Sequence, residues 1–586
     1  MGEDITNLVD LWQKSSKAHA DRPLFGTKTG GVWTWITYRE FEKLVDDFRG
    51  ALSSLGVKAG DKVGIVSNNR VEWAVACYAT YGLRAAFVPM YEQQDADEWE
   101  FILDDCGAKV VIGSTSAIYE HLRGLVGKVP SLQHAIGLEA PQSDEHSYTA
   151  LLERGAANPH AVEYPDSKEI AGFIYTSGTT GKPKGVILSH GNLSSNALAV
   201  RSLFDIRPDD RSLSFLPWAH SFGQVCELHL LFSRGCSLAI NDDVQHLVAN
   251  LAVVKPTVLF AVPRIFNRIY DGVNKQMSER PAFIQALFRS GVANATKKNR
   301  GDDVSALGGI GLALADKLIF SKIRERFGGR LRYAISGSAA LSREVAEFID
   351  ALGIEVYEGY GLTETSPTAT ANYPGNRKIG SVGKAVPGCK IVIDKSVTGD
   401  QKNGEILIYG PNVMQGYHHR PEETRAVLMD DRGFRSGDMG YLDADGFLYI
   451  TGRIKEQYKL ENGKYVVPAP LEEQLKLSPF IANVMIHGAN KPHNVALVVP
   501  DHEALKKWAG ENGVDLGNIT HSERVRELLR GELEKYGAEF KGYERPKDFV
   551  IVPEDFTTDN GMLTPTLKLK RRTVLAKYEQ ALDELY

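Results

Sequence analysis

The spacing of apolar and polar positions predicts a chain built from two kinds of region. Lys62 to Val66 is a short apolar run after Gly60-Asp61, predicted as a buried strand. Glu72 to Tyr81 then places apolar residues at helical spacing. Ala85 to Pro89, Lys109 to Ile112 and Ile170 to Tyr175 read as further strands, followed by a helix with Asn192 as N-cap running to about Leu203. Val258 to Ala261, Leu331 to Ile335 and Ile354 to Tyr357 continue the series. Strands separated by helices of this length imply parallel sheets with crossover helices. From Gly404 the pattern shifts to short alternating runs, Glu405 to Tyr409 and Gly446 to Ile450, split by Gly and Asp; this predicts a small β-rich section. Arg453 to Leu460 is strongly charged, and helices return near Leu471 to Leu477 and Arg524 to Tyr536. The fold class is therefore α/β: a large N-terminal domain, residues 1–454, of parallel-rich sheets flanked by helices plus a β-rich section, and a small α+β C-terminal domain, residues 455–586.

Between Lys297 and Arg332, basic residues interleave with Leu318, Ile319 and Ile323. This pattern predicts a solvated amphipathic helix face, with docking to a membrane surface as the alternative. Gly309-Ile310-Gly311, with Leu314 where a dinucleotide fingerprint needs a third glycine, reads as a turn.

A length of 586 residues agrees with at least two domains. Hydrophobic residues at 43% and charged residues at 24% argue against disorder, and a net charge of -6 argues against a nucleic-acid binder. The five cysteines are scattered, with no metal-ligand spacing, which predicts no zinc site or disulfide framework. The N-terminus lacks a signal-peptide layout. Gly2 and Thr6 fit a myristoylation pattern, but Glu3 and Asp4 work against an anionic membrane. The expected location is cytoplasmic, with peripheral membrane contact left open.

The densest chemistry lies in Tyr175 to Gly185, which holds hydroxyls at Thr176, Ser177, Thr179 and Thr180 together with Gly178, Gly181, Lys182 and Lys184. Backbone N–H groups in a glycine-rich turn converge on phosphate oxygens, and lysines neutralise their charge. Pro183 stands where a Walker loop needs Ser or Thr, so this is another kind of phosphate loop.

This eleven-residue run resembles the phosphate-loop signature of the adenylate-forming superfamily. Tyr357 to Thr365 resembles the family's second nucleotide motif. By that resemblance Tyr360 and Gly361 lie at the adenine, Thr363 contacts the α-phosphate, and Glu364 holds Mg²⁺. The small-residue turn Ser336 to Leu341, including Gly337, Ser338 and Ala339, is similar to the adenine-pocket turn. Ser436-Gly437-Asp438 resembles the motif whose aspartate binds the ribose hydroxyls. Arg453 falls at the family's distance from it, and Lys455 at the hinge position. Leu563 to Leu569 resembles the segment carrying the adenylation lysine, which points to Lys568, although Leu567 replaces the usual glycine and Lys570, Arg571 and Arg572 crowd it.

The resemblance spans roughly Thr37 to Arg572. It implies attack of a substrate carboxylate on ATP, release of pyrophosphate, and transfer of the acyl group to coenzyme A as co-substrate, with a mobile C-terminal domain. Val262 to Tyr270, Lys317 to Leu341 and Tyr458 to Pro468 are similar to the long-chain fatty acyl-CoA synthetase branch. Leu216 to Phe222 matches its acyl-pocket loop, making His220 a substrate-side candidate and Trp218 a gate or a core residue. Alternatives are an acyl-AMP ligase, an aryl or medium-chain acid–CoA ligase, and a catalytically silent acyl or nucleotide sensor.

Overall fold

The computed structural model describes residues 5–176, 182–396, 402–564 and 568–586. Its largest sheet has seven strands in the order Gly416–Tyr417, Lys184–Ser189, Ile170–Thr176, Ala86–Met90, Lys62–Val66, Val110–Gly113, His134–Gly137. The last five are parallel neighbours, and the first two strands are each antiparallel to the next strand in this order. Ala86–Met90 and Val110–Gly113 are buried at every position. Strands covered on both faces need no polar alternation, which is why these segments read as continuous apolar runs.

A second sheet sets Val258–Ala261, Tyr333–Ser336 and Val356–Gly361 parallel, then adds Thr368–Ala371 and Lys384–Ala385 antiparallel. The predicted β-rich section is an antiparallel sheet of Lys390–Asp394, Gly404–Tyr409, Phe434–Leu442 and Leu448–Arg453. Beyond it, Ile481–His487, Asn494–Pro500 and Pro546–Ile551 form a separate sheet. Two apolar clusters drawn entirely from residues from Leu471 onward pack on its two faces.

The structure corrects two local expectations. The helix His190–Leu203 is capped by Ser189, whose side chain accepts from the Asn192 N–H, while Asn192 answers as the third residue of a capping box. Both residue types cap well, and the first in the chain takes the position. Gly309 to Gly311 is not a turn: it lies inside the helix Ala306–Ala315.

Trp218 is fully buried, its ring 5.7 Å from that of Phe25 and 5.6 Å from that of Trp73. Its indole N–H donates to Ser214 Oγ at 3.0 Å, which makes it a satisfied core residue rather than a gate. All five cysteines are free thiols, four of them buried.

Candidate active site

Strand ends and their following turns meet at one cleft of about 1300 Å³. Thr176 and Lys184 reach it from the paired strands Ile170–Thr176 and Lys184–Ser189. Ser177, Gly178, Thr179, Thr180 and Gly181, which connect those strands, lie outside the described residues. Lys184 is ion-paired with Glu423 and its ammonium lies 5.5 Å from the Tyr417 ring centre. Gly185 next to it has no room for a side chain, because a Cβ would lie 2.9 Å from the Tyr175 ring. Lys182 instead turns outward over Phe101, at 4.9 Å, and does not line the cleft.

The strand Tyr333–Ser336 ends in Gly337 and Ser338, which line the cleft; Ser338 adopts φ 71°. A Cβ at Gly337 would press to 3.2 Å from Phe222, so glycine suits a wall where a flat group must approach. Ala339 is exposed and is not part of this wall. Ser336 Oγ is buried on the cleft without a hydrogen-bond partner among the described residues, a donor suited to a polar ligand.

Val356–Gly361 delivers Tyr360 and Gly361, and the single 3₁₀ turn Thr363–Thr365 delivers Thr363 and Glu364. Gly361 is sterically required, since a Cβ there would stand 1.7 Å from the Pro367 carbonyl oxygen. Thr363 Oγ1 lies 3.4 Å from Ser221 Oγ. Glu364 Oε1 accepts a hydrogen bond from Tyr417 Oη at 2.8 Å, and Oε2 has no donor among the described residues.

The antiparallel register sets Asp438 directly opposite Arg453. Arg453 Nε forms an ion pair with Asp438 Oδ1 at 2.8 Å, and Tyr360 Oη donates to Oδ2 at 2.7 Å. Asp438 is thus a buried carboxylate, at 4% exposure, held by one ion pair and one hydrogen bond. The adjacent Asp438 carboxylate raises the Arg453 pKa above its usual range. Lys455 lies just past this pair on the cleft, where the Ile454 N–H is bonded to Gly437 O at 2.9 Å.

Lys568 enters from the C-terminal segment, where its N–H donates to Thr564 Oγ1 at 3.0 Å and its carbonyl accepts from the Thr564 N–H at 2.8 Å. Its side chain lines the cleft and keeps contact with solvent. Enclosure by the cleft walls and then Arg453 lower its pKa, against the opposing pull of Asp438, Glu364 and Glu456. His220 stands on the same cleft with Nδ1 accepting from the Phe222 N–H at 3.2 Å. Burial, then Lys568, lowers its pKa to about 4, so the ring is neutral at pH 7.

Three residues escaped the sequence reading: Tyr417 and Glu423, which hold Glu364 and Lys184, and Ser221 beside Thr363. Tyr417 and Glu364 are 53 positions apart, and no local pattern links them. The cleft lining also includes the apolar side chains of Val200, Phe204, Cys226, Ile335, Tyr357 and Ala371.

The chain belongs to the AMP-binding enzyme family: that family's model matches residues 12–418, and the AMP-binding enzyme C-terminal domain matches residues 455–586. Within it, the chain falls in the long-chain acyl-CoA ligase branch. It is 34% identical to the long-chain-fatty-acid–CoA ligase FadD15 of Mycobacterium tuberculosis, covering 99% of this chain and 97% of that protein. Identity to the peroxisomal long chain acyl-CoA synthetase 7 of Arabidopsis thaliana is 32%, covering 100% and 87%. Among solved structures, the fold matches the adenylation domain of a carboxylate reductase from Mycobacterium chelonae with TM-score 0.81 at 23% identity, covering 100% of this chain and 92% of that one.

Proposed function

We propose that this protein joins a long-chain fatty acid to coenzyme A in two steps, with an acyl-adenylate between them. The observation that carries the reading is the meeting of Glu364, Arg453 with its buried partner Asp438, and Lys568 at one cleft whose lining also includes apolar side chains. In the first step a carboxylate oxygen attacks the α-phosphorus of ATP, the bond to the β-phosphate bridging oxygen breaks, and pyrophosphate leaves. In the second, the coenzyme A sulfur attacks the acyl carbon, and AMP leaves with the electron pair of the broken C–O bond.

For these steps the residues have separable tasks. Asp438 is an acceptor-only carboxylate suited to the two ribose hydroxyls, and Tyr360 and Arg453 fix its orientation. Thr363 and the 176–184 loop hold phosphate oxygens, and Lys184 and Lys568 offset their charge. Catalysis of phosphoryl-type transfer rests mainly on such positioning and charge neutralisation. Neutral His220 lines the cleft and offers a ring nitrogen without competing for the phosphates.

Glu364 suits Mg²⁺, a hard ion that is commonly held by one or two carboxylates with phosphate oxygens. No cluster of three or more metal-ligating side chains occurs among the described residues, and a site of this kind needs none. When bound, the ion supplies charge neutralisation at the phosphates; Glu364, steadied by Tyr417, is the residue that would hold it.

The proposal treats residues 1–454 and 455–586 as two domains, with Lys455 absorbing the backbone change when the second domain turns to admit the thiol. AMP release by the purified protein, with ATP and coenzyme A, across acids from acetate to long-chain fatty and aryl acids tests the whole reading. A long-chain optimum with thioester formation supports it. Turnover confined to short or aryl acids overturns the substrate class, and ATP binding without AMP release favours a sensor.

A further inference from the structure

An apolar helix normally faces a core, yet Ala306–Ala315 packs only Leu312 and Ala315 against one and leaves other apolar side chains in solvent. It contains no polar side chain, and only Ala315 in it is buried. Leu307 is 81% exposed, Ile310 68%, Leu314 48% and Leu318 42%. Their spacing of three and four residues puts them on one helical face. Gly309 and Gly311 border open space, whereas a Cβ at Gly308 would lie 3.0 Å from the Asn294 and Val304 side chains, so that side of the helix faces the protein. Phe283, at the start of the neighbouring helix Ala282–Arg300, is 71% exposed.

Charge gathers around this face. Residues 282–326 carry eight basic side chains and four acidic ones, a net of about +4 in a chain whose net charge is -6. Arg300 is paired with Glu347, and Arg324 with Asp316. Lys297, Lys298, Lys317 and Lys322 are exposed and have no ion-pair partner among the described residues.

We infer that this face docks on an anionic lipid bilayer, with Leu307, Ile310, Leu314 and Leu318 entering the interface and the four lysines meeting the headgroups. Charge complementarity selects this occupant. A second copy seated face to face would bring the same lysines together, which like-charge repulsion opposes. An apolar stripe bordered by lysines is the pattern of an interfacial helix. The inference also draws on the proposed function, because a long-chain fatty acid partitions into bilayers and would be collected there.

Co-sedimentation of the full chain with phosphatidylcholine vesicles, with and without about 30% phosphatidylglycerol, tests the inference. Binding is expected with the anionic vesicles and should fall at high salt. Leu307→Gln with Ile310→Gln should lower partition at least ten-fold, since each apolar side chain withdrawn from water contributes about that factor. Lys297→Gln and Lys317→Gln should each lower it about five-fold. Unchanged thermal melting, and unchanged AMP release with a long-chain acid delivered on albumin, would show that the variants remain folded. Equal vesicle binding by wild type and variants overturns the inference. So does a dimer that the Leu307→Gln, Ile310→Gln protein loses while neither protein binds vesicles, which would assign the face to a second copy. Albumin-delivered acid turned over by a protein that ignores vesicles sinks the docking and leaves the ligase reading standing.

Discussion

Replacing Lys568 by alanine should separate the two half-reactions. The ammonium lies on the cleft with Arg453 on one side of the charge balance and Asp438, Glu364 and Glu456 on the other. Polyanionic ATP would add negative charge there and favour the protonated lysine, so its charge is delivered where the α-phosphate gains it during attack. Removing one preorganised donor to developing charge typically costs 10²–10³ in rate. Lys568 keeps contact with solvent, and water can replace part of what it supplies. The lower end, about 100-fold or about 2.7 kcal/mol, is therefore expected. Its basic neighbour Arg571 cannot take over, because its guanidinium is bound to both Glu472 oxygens, at 2.9 and 2.6 Å, and to Ile486 O at 2.9 Å. Fatty-acid-dependent exchange of pyrophosphate into ATP reads the first half-reaction. AMP release from chemically prepared acyl-adenylate plus coenzyme A reads the second. The variant should lose about two orders of magnitude in the first and less than about three-fold in the second. Intact exchange would refute the assignment, and the same loss in Lys570→Ala but not in Lys568→Ala would move it by two residues.

Arg571→Ala should act on stability instead, by about 2–3 kcal/mol, because it strands the buried Glu472 carboxylate; an unchanged melting temperature would contradict this. Gly361→Ala should cost roughly 3 kcal/mol by overpacking the turn under Thr363 and Glu364, and a urea midpoint equal to wild type would show that the turn can yield. Burial lowers the pKa values of His190 and His229 to about 3 each, so the folded state keeps both neutral while the unfolded chain protonates them below about 6.5. Their contribution is complete above pH 6.5 and is withdrawn as pH falls toward 3, at about 1.4 kcal/mol per pH unit for each. Glu227 and Glu358, pushed up to about 7 mainly by burial, act in the opposite sense over part of that range. The decisive readout is therefore the comparison with His229→Gln, whose stability should fall less steeply between pH 6 and 4.5; parallel curves would refute the reasoning.

What the chain discloses in one dimension depends on how far its contacts reach. Val258–Ala261 was predicted with the bounds it adopts, because a strand covered on both faces needs only an uninterrupted apolar run. The segment bearing Thr363 and Glu364 was legible through the family resemblance, since its residues are contiguous, and its glycine answers to a carbonyl only six positions away. Asp438 and Arg453 stand 15 positions apart and meet through strand register, which periodicity alone could not supply; the family resemblance pointed to both. Tyr417 and Glu423 had no such pointer, although one holds Glu364 and the other holds Lys184. The two local errors have a common origin, in residue types that favour more than one conformation. Ser189 and Asn192 both prefer the cap, and glycines at 309 and 311 favour turns in general, but here Gly308 lets the helix pack closely against Asn294. The side of the helix that meets the protein carries Gly308, Leu312 and Ala315, and Leu307, Ile310 and Leu314 fall on the opposite side, in solvent.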